Sequence, residues 1–272
     1  MPNTIFVPVD FSPYTAQQLW LAKNWALWLH ADISVVHQMD DPIPSLASNT
    51  VRLQIHYENK RRVTQDWFKL QEKIFDKNDF VKFDTINENL IQYLNEKTQF
   101  LEGSIIIMGL KGAGRLKQIF LGSMVTEVVE KLNLTVIAAP KNNLNMTPKR
   151  LVISAHPKYP FNVKSLKILL GKIEGLVEVI NLITFSEEND DILSIQVYLD
   201  ELKSEIKTEV QIFSRIFTGD KFKNQAFDEL EARENTYLIL QKGGRAFKDK
   251  IFRKFMINEL VYRASIPLII LP

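Results

Sequence analysis

The second half of this chain repeats the first. At a shift of 132 residues, Ile119-Phe120 falls on Ile251-Phe252, and Ile105-Ile106-Ile107 falls on Tyr237-Leu238-Ile239. The face Val125, Val128, Val129, Leu132 falls on Ile257, Leu260, Val261, Ala264, Glu127 on Glu259 and Pro140 on Pro272. Both faces have the spacing of an amphipathic helix. A repeat this long is a duplicated domain, and 272 residues suit two ordinary domains. The copies are expected at residues 1–141 and 150–272. The polar stretch Lys141 to Lys149, with Pro148, forms the linker.

Within each copy, strands alternate with helices. In the first, strands are expected at Ile5–Val9, Ile33–His37, Phe80–Ile86, Ser104–Met108 and Thr135–Ala139. Ser12 is expected to cap the first helix, with Pro13 at its first position and Ala16, Leu19, Ala22, Ala26 and Leu29 as its apolar face. Further helices are expected from Val51 to about Phe75, over Asn89–Leu101 and over Ser123–Leu132. The second copy places strands near Leu151–Ala155, Leu176–Thr184, Glu209–Phe217, Thr236–Leu240 and Pro267–Leu271. This order implies an α/β fold, with two open parallel five-stranded sheets, helices on both faces and right-handed crossovers. Ligands in such sheets sit at the carboxyl ends of strands, where strand order reverses.

One loop lies at such a place. After the apolar run Ile105 to Met108 the chain reads Gly109, two residues, Gly112, nine residues, Gly122-Ser123. A strand-end glycine lets a ligand lie against backbone, and a loop glycine reaches positive φ without steric cost. Gly122-Ser123 at a helix start offers free N–H groups and a hydroxyl to an anion, with the helix dipole in support. The spacing is neither the dinucleotide fingerprint nor a Walker loop. A tight turn followed by a plain serine cap is the competing reading.

The loop resembles that of the universal stress protein family, and two other segments match in order. Ile5-Phe6-Val7-Pro8-Val9-Asp10-Phe11-Ser12 resembles its first strand with terminal aspartate, and Arg115 to Val129 its signature helix entry. Thr135 to Pro140 resembles its last strand. The resemblance implies an adenine nucleotide alpha-hydrolase-like, Rossmann-like fold. It also implies a regulator or sensor in stress response that binds ATP, AMP or ADP, with Mg²⁺ held by phosphate and Asp10. The implied contacts are Pro8, Asp10, Gln38, Gly109, Gly112, Gly122, Ser123 and Met124. Asp10 and the backbone at Gln38 serve adenine or ribose, and the glycines with Ser123 serve phosphate. For Asp10 the alternative is a carboxylate at a helix N-terminus, and His37 reads as a satisfied histidine at the core edge. Lys111 and Arg115 either screen phosphate or stay solvated. The resemblance further implies that the two domains pair antiparallel through their last strands, as a pseudo-dimer within one chain. A homodimer on other surfaces and a further protein partner stay open.

The second copy departs from the loop pattern. Gly109 becomes Gln241, Gly112 becomes Gly244, Gly122 becomes Lys254 and Ser123 becomes Phe255, and Asp10 corresponds best to His156. No nucleotide is expected there. Arg245, Lys248, Lys250, Arg253 and Lys254 form either another anion site or a solvated basic face.

Composition removes several other functions. There is no cysteine, which excludes disulfides, thiolate metal sites and cysteine nucleophiles. The four histidines lack metal-ligand spacing, and a net charge of +2 does not point to nucleic acid or a membrane surface. With no leader-like or membrane-length apolar run, a cytoplasmic protein is expected. No paired carboxylates or histidine dyad accompany the loop, so a slow nucleotide hydrolase is the second reading and a non-binding interaction module the third. Trp20, Trp25 and Trp28 share the first helix and cannot all face one core, so one is expected to be exposed and to mark an interface, the alternative being packing against the neighbouring helix.

Overall fold

The computed structural model describes residues 3–41, 44–99, 101, 103–110, 123–140, 147–186, 189–218, 235–244 and 266–272. In the first half, β1 (Thr4–Pro8), β2 (Asp32–Gln38), β3 (Val81–Ile86), β4 (Ile105–Gly109) and β5 (Thr135–Ala139) alternate with α1 (Thr15–Leu29), α2 (Asn49–Ile74), α3 (Leu90–Thr98) and α4 (Ser123–Lys131). The second half contributes β6 (Arg150–Ser154), α5 (Val163–Lys172), β7 (Val179–Phe185), α6 (Ile192–Ile206), β8 (Gln211–Phe217), β9 (Thr236–Gln241) and β10 (Leu268–Leu271).

Among the described residues these strands form one ten-stranded sheet, ordered β3-β2-β1-β4-β5-β10-β9-β6-β7-β8. The two five-stranded sets are parallel inside and meet antiparallel at β5 and β10. Ile137 pairs with Ile269, its own counterpart at the 132-residue shift, flanked by Ala138 with Leu268 and Val136 with Ile270. A pseudo-two-fold axis therefore passes between Ile137 and Ile269. Equivalent backbone bonds recur on both sides. Leu110 N–H donates to Ala139 O at 3.1 Å, and Lys242 N–H to Leu271 O at 2.8 Å.

Strand alternation sends side chains to two cores. Ile5, Val7, Ile105, Ile107, Ile137, Leu151, Ile153 and Ile269 pack under α1, α2, α5 and α6. Phe6, Ile106, Val136, Val152 and Ile270 face the other way, where α3 and α4 cover the first half. The axis is accordingly perpendicular to the sheet. The halves differ in length chiefly because α6 has 15 residues where α2 has 26.

Two expected boundaries move, and one helix face differs. Ser12 does not cap α1, which starts at Thr15 after an N-cap, Tyr14, that makes no side-chain cap bond. Asp10 organises that turn instead, as described below. The strand expected from Leu176 begins at Val179, because Gly175 turns the chain at φ +81° after α5. On α1, Ala16 and Ala26 are only half-buried, while Gln18, Leu21 and Trp25 are buried.

Candidate functional site

In the first half, strand order reverses between β1 and β4. From β1 the chain moves outward to β2 and β3, then crosses the other face to β4 and β5. The carboxyl ends of β1 and β4 thus lie at the switch point, where sheets of this kind place their ligands. Pro8 ends β1, Gln38 ends β2 and Gly109 ends β4, so three expected site residues share this edge. Asp10 follows two residues beyond β1 and is exposed. Because α4 returns antiparallel to the strands, its N-terminal residues Ser123 and Met124 lie at the same edge, with Met124 38% exposed. Gly112, Gly122, Lys111 and Arg115 lie outside the described residues.

The turn after β1 is built around the Asp10 carboxylate. Its Oδ1 accepts from Ser12 N–H at 3.0 Å and from the Thr15 hydroxyl at 3.4 Å. Phe11 between them takes φ 52°, a left-handed conformation uncommon for a bulky residue. The Phe11 ring packs edge-on to His37 at 5.0 Å between centroids. His37 Nδ1 lies 2.8 Å from Val9 O; a carbonyl only accepts, so Nδ1 carries the proton. The Gln38 side chain turns toward α3, where its Oε1 accepts from Leu90 N–H at 3.0 Å.

Gln18 is the residue that motif reading misses. Its buried Nε2 donates to Pro8 O at 2.7 Å and to Ile107 O at 2.9 Å, so one amide clamps the ends of β1 and β4 at the switch point. The available signal was a polar residue on the buried flank of α1, four positions before Ala22.

The matching edge of the second half is lined by larger and more tightly bonded side chains. A small cleft there is lined by Ser154, His156, Thr184, Phe185, Gln241 and Gly244, among others. Ala155 N–H donates to Ile183 O as Val9 N–H does to Val36 O, which sets His156 in the place of Asp10. His156 is 5% exposed, and its Nδ1 accepts from Lys158 N–H at 3.2 Å. The proton therefore sits on Nε2, 3.4 Å from Asp190 Oδ2. Gln241, in the place of Gly109, accepts from Asn162 N–H through its Oε1 at 2.5 Å. The surviving Gly244 serves its own turn: its N–H donates to Gln241 O, and a Cβ would stand 2.9 Å from that oxygen. Lys254, Phe255 and the basic residues from Arg245 lie outside the described residues.

Among the described residues no cluster of three His, Asp or Glu could hold a metal ion. No helix among them is long and apolar enough to cross a membrane.

Comparison with known proteins adds the following. The family model described as the Universal stress protein family matches residues 1–140. A universal stress protein from Archaeoglobus fulgidus superposes with a TM-score of 0.64 at 16% identity, over 99% of this chain and 96% of that one. A functionally unknown protein from Pseudomonas aeruginosa gives 0.57 at 10% identity, over 99% and 92%. The cytoplasmic domain of a prokaryotic cation chloride cotransporter gives 0.54 at 11% identity, over 99% and 95%. At such identities these likenesses speak for the fold alone. A search of curated proteins by sequence returned no match.

Proposed function

This chain belongs to the universal stress protein family, and from that premise we propose that it is a tandem member with one nucleotide site. Residues 1–141 are the domain that binds an adenine nucleotide, and residues 150–272 are a second domain of the same fold that does not. The likeness to the A. fulgidus protein over 99% of the chain supports the tandem reading.

The observation that carries the nucleotide reading is the switch-point edge. Gly109 ends β4 at the strand-order reversal and α4 begins at Ser123, on the edge where Asp10 follows β1. Four N-terminal N–H groups of a helix have no intrahelical acceptor, and they favour an anion. Ser123 and Met124 with Gly109, Gly112 and Gly122 hold the phosphates, and Pro8, Asp10 and Gln38 flank the base and ribose. Mg²⁺, where present, rides on the phosphates. The role is that of a regulator whose surface responds to nucleotide in the stress response. Adenine over guanine, and ATP over AMP or ADP, rest on the family resemblance.

Titration calorimetry with MgATP tests the site. Wild-type chain should bind, and Gly122→Val should abolish binding by barring close backbone approach. Equal affinities in the two proteins would remove the phosphate cradle from this loop. Mass spectrometry of small molecules released on denaturation identifies which nucleotide the purified chain retains.

A further inference from the structure

Helices α2 and α6 hold equivalent places in the two halves. Each follows the second strand of its half, and they cover the same face of the sheet near its opposite edges. Both present apolar side chains to solvent. On α2, Leu53, Tyr57 and Phe68 are 57%, 68% and 55% exposed, and on α6, Leu193 and Val197 are 71% and 50% exposed. At ~100° per residue each set falls on one flank of its helix. On α6 that flank lies opposite the buried Ile195, Leu199, Leu202 and Ile206. These side chains contribute nothing to either core.

The charges around the two stripes are opposite. Helix α2 carries six basic and three acidic side chains, with exposed Lys60 and Arg61 one turn after Tyr57. Helix α6 carries three acidic and one basic, with exposed Asp200 and Glu201 one turn after Val197. Each stripe thus has its complement on the same polypeptide, but at the far edge of the sheet, where it cannot reach within one chain. Like pairings, α2 on α2 or α6 on α6, are opposed by their charge.

We propose that α2 of one chain docks on α6 of a second copy, apolar stripe against apolar stripe, with Lys60 and Arg61 facing Asp200 and Glu201. The contact is heterologous. Two chains that exchange two such contacts close a dimer, and a chain that makes them in succession grows a filament. This surface is separate from the β5–β10 junction, which is satisfied within each chain.

Sedimentation velocity on the full chain tests this. Wild type should associate reversibly, and salt at about 0.5 M should weaken association by screening. Arg61→Glu and Glu201→Arg should each weaken it by about tenfold or more. An equimolar mixture of these two variants should regain wild-type association, because every contact between unlike chains then pairs opposite charges. Leu193→Asp should weaken association while changing the melting temperature little, since Leu193 is 71% exposed. A wild type that stays monomeric at about 0.1 mM overturns the proposal. So does association that is indifferent to both charge reversals, or a mixture that fails to recover it.

Discussion

The indole of Trp25 donates from Nε1 to the hydroxyl of Tyr237 at 3.3 Å, across the junction between the two halves. Both side chains are 0% exposed, and their rings meet edge to face at 5.9 Å. Burial pushes the Tyr237 pKa upward, with the Trp25 hydrogen bond opposing it, so the phenol stays neutral. None of the three tryptophans of α1 is exposed, so the expected exposed interface marker is not found: Trp20 and Trp28 are half-buried, and Trp25 is buried and joins the two halves within the chain. Two lysines of the second half add to this junction. Lys172 Nζ donates to Asn3 Oδ1 at 2.8 Å and Gly103 O at 2.7 Å, and Lys242 Nζ to Leu132 O at 3.2 Å.

Tyr237→Phe should destabilise the protein by about 1–3 kcal/mol, because the Trp25 N–H is left buried without its acceptor. Adding Trp25→Phe to it should cost less than the sum of the two single changes. A double-mutant cycle from denaturant unfolding, followed by tryptophan emission and by circular dichroism, measures the coupling. Strict additivity would mean that the contact contributes nothing.

Ile137→Lys or Ile269→Lys should destabilise the whole chain by several kcal/mol, as an unpaired charge is buried at the centre of the sheet. Both residues are 0% exposed and face each other across β5 and β10. The check is whether one cooperative transition shifts. Two separate transitions, with one half unaffected, would show that the halves fold independently.

Gln18→Leu should lower both stability and nucleotide affinity. The change leaves Pro8 O and Ile107 O without their donor, at about 1–3 kcal/mol. Melting curves and MgATP calorimetry read the two effects. Affinity that survives intact would mean that the strand ends hold their positions without the clamp.

MgATP should bind with a stoichiometry near one per chain, since Gln241 and His156 replace Gly109 and Asp10 and narrow the second site to a small cleft. Calorimetry on the full chain gives the number directly, and a stoichiometry near two would show that those side chains move aside.

Asp41→Asn should weaken the fold at neutral pH and matter progressively less in acid. The Asp41 carboxylate accepts from Asn59 Nδ2 at 2.7 Å and meets His56 Nδ1 at 2.6 Å. The Asn59 bond leads in holding its pKa below the ordinary carboxylate range, with His56 in support. A depressed folded-state pKa contributes stability that is present above the unfolded value and lost as pH falls through the folded one. Urea midpoints of wild type and variant should therefore differ at pH 7 and draw together as the pH falls below the ordinary carboxylate range.

Much of the architecture is legible in the residues. The period-two and helical patterns encode local burial, so strand and helix order follow from them, and the glycines at 109, 112 and 122 mark the loop. The 132-residue repeat announces duplication, and the degeneracy of its second loop is visible at Gln241. Tertiary structure decided what depends on contacts between distant residues. Gln18 reads as one more polar residue in a helix until the fold sets its amide beneath Ile107, 89 positions away. Trp25 and Tyr237 stand 212 positions apart, and no periodicity links them. Ser12 is a suitable cap by type, but the Asp10 carboxylate and a left-handed Phe11 define that turn first. Local patterns report which face of an element is buried. Which polar group finds which partner is settled only when long-range packing leaves a donor and an acceptor no other way to be satisfied.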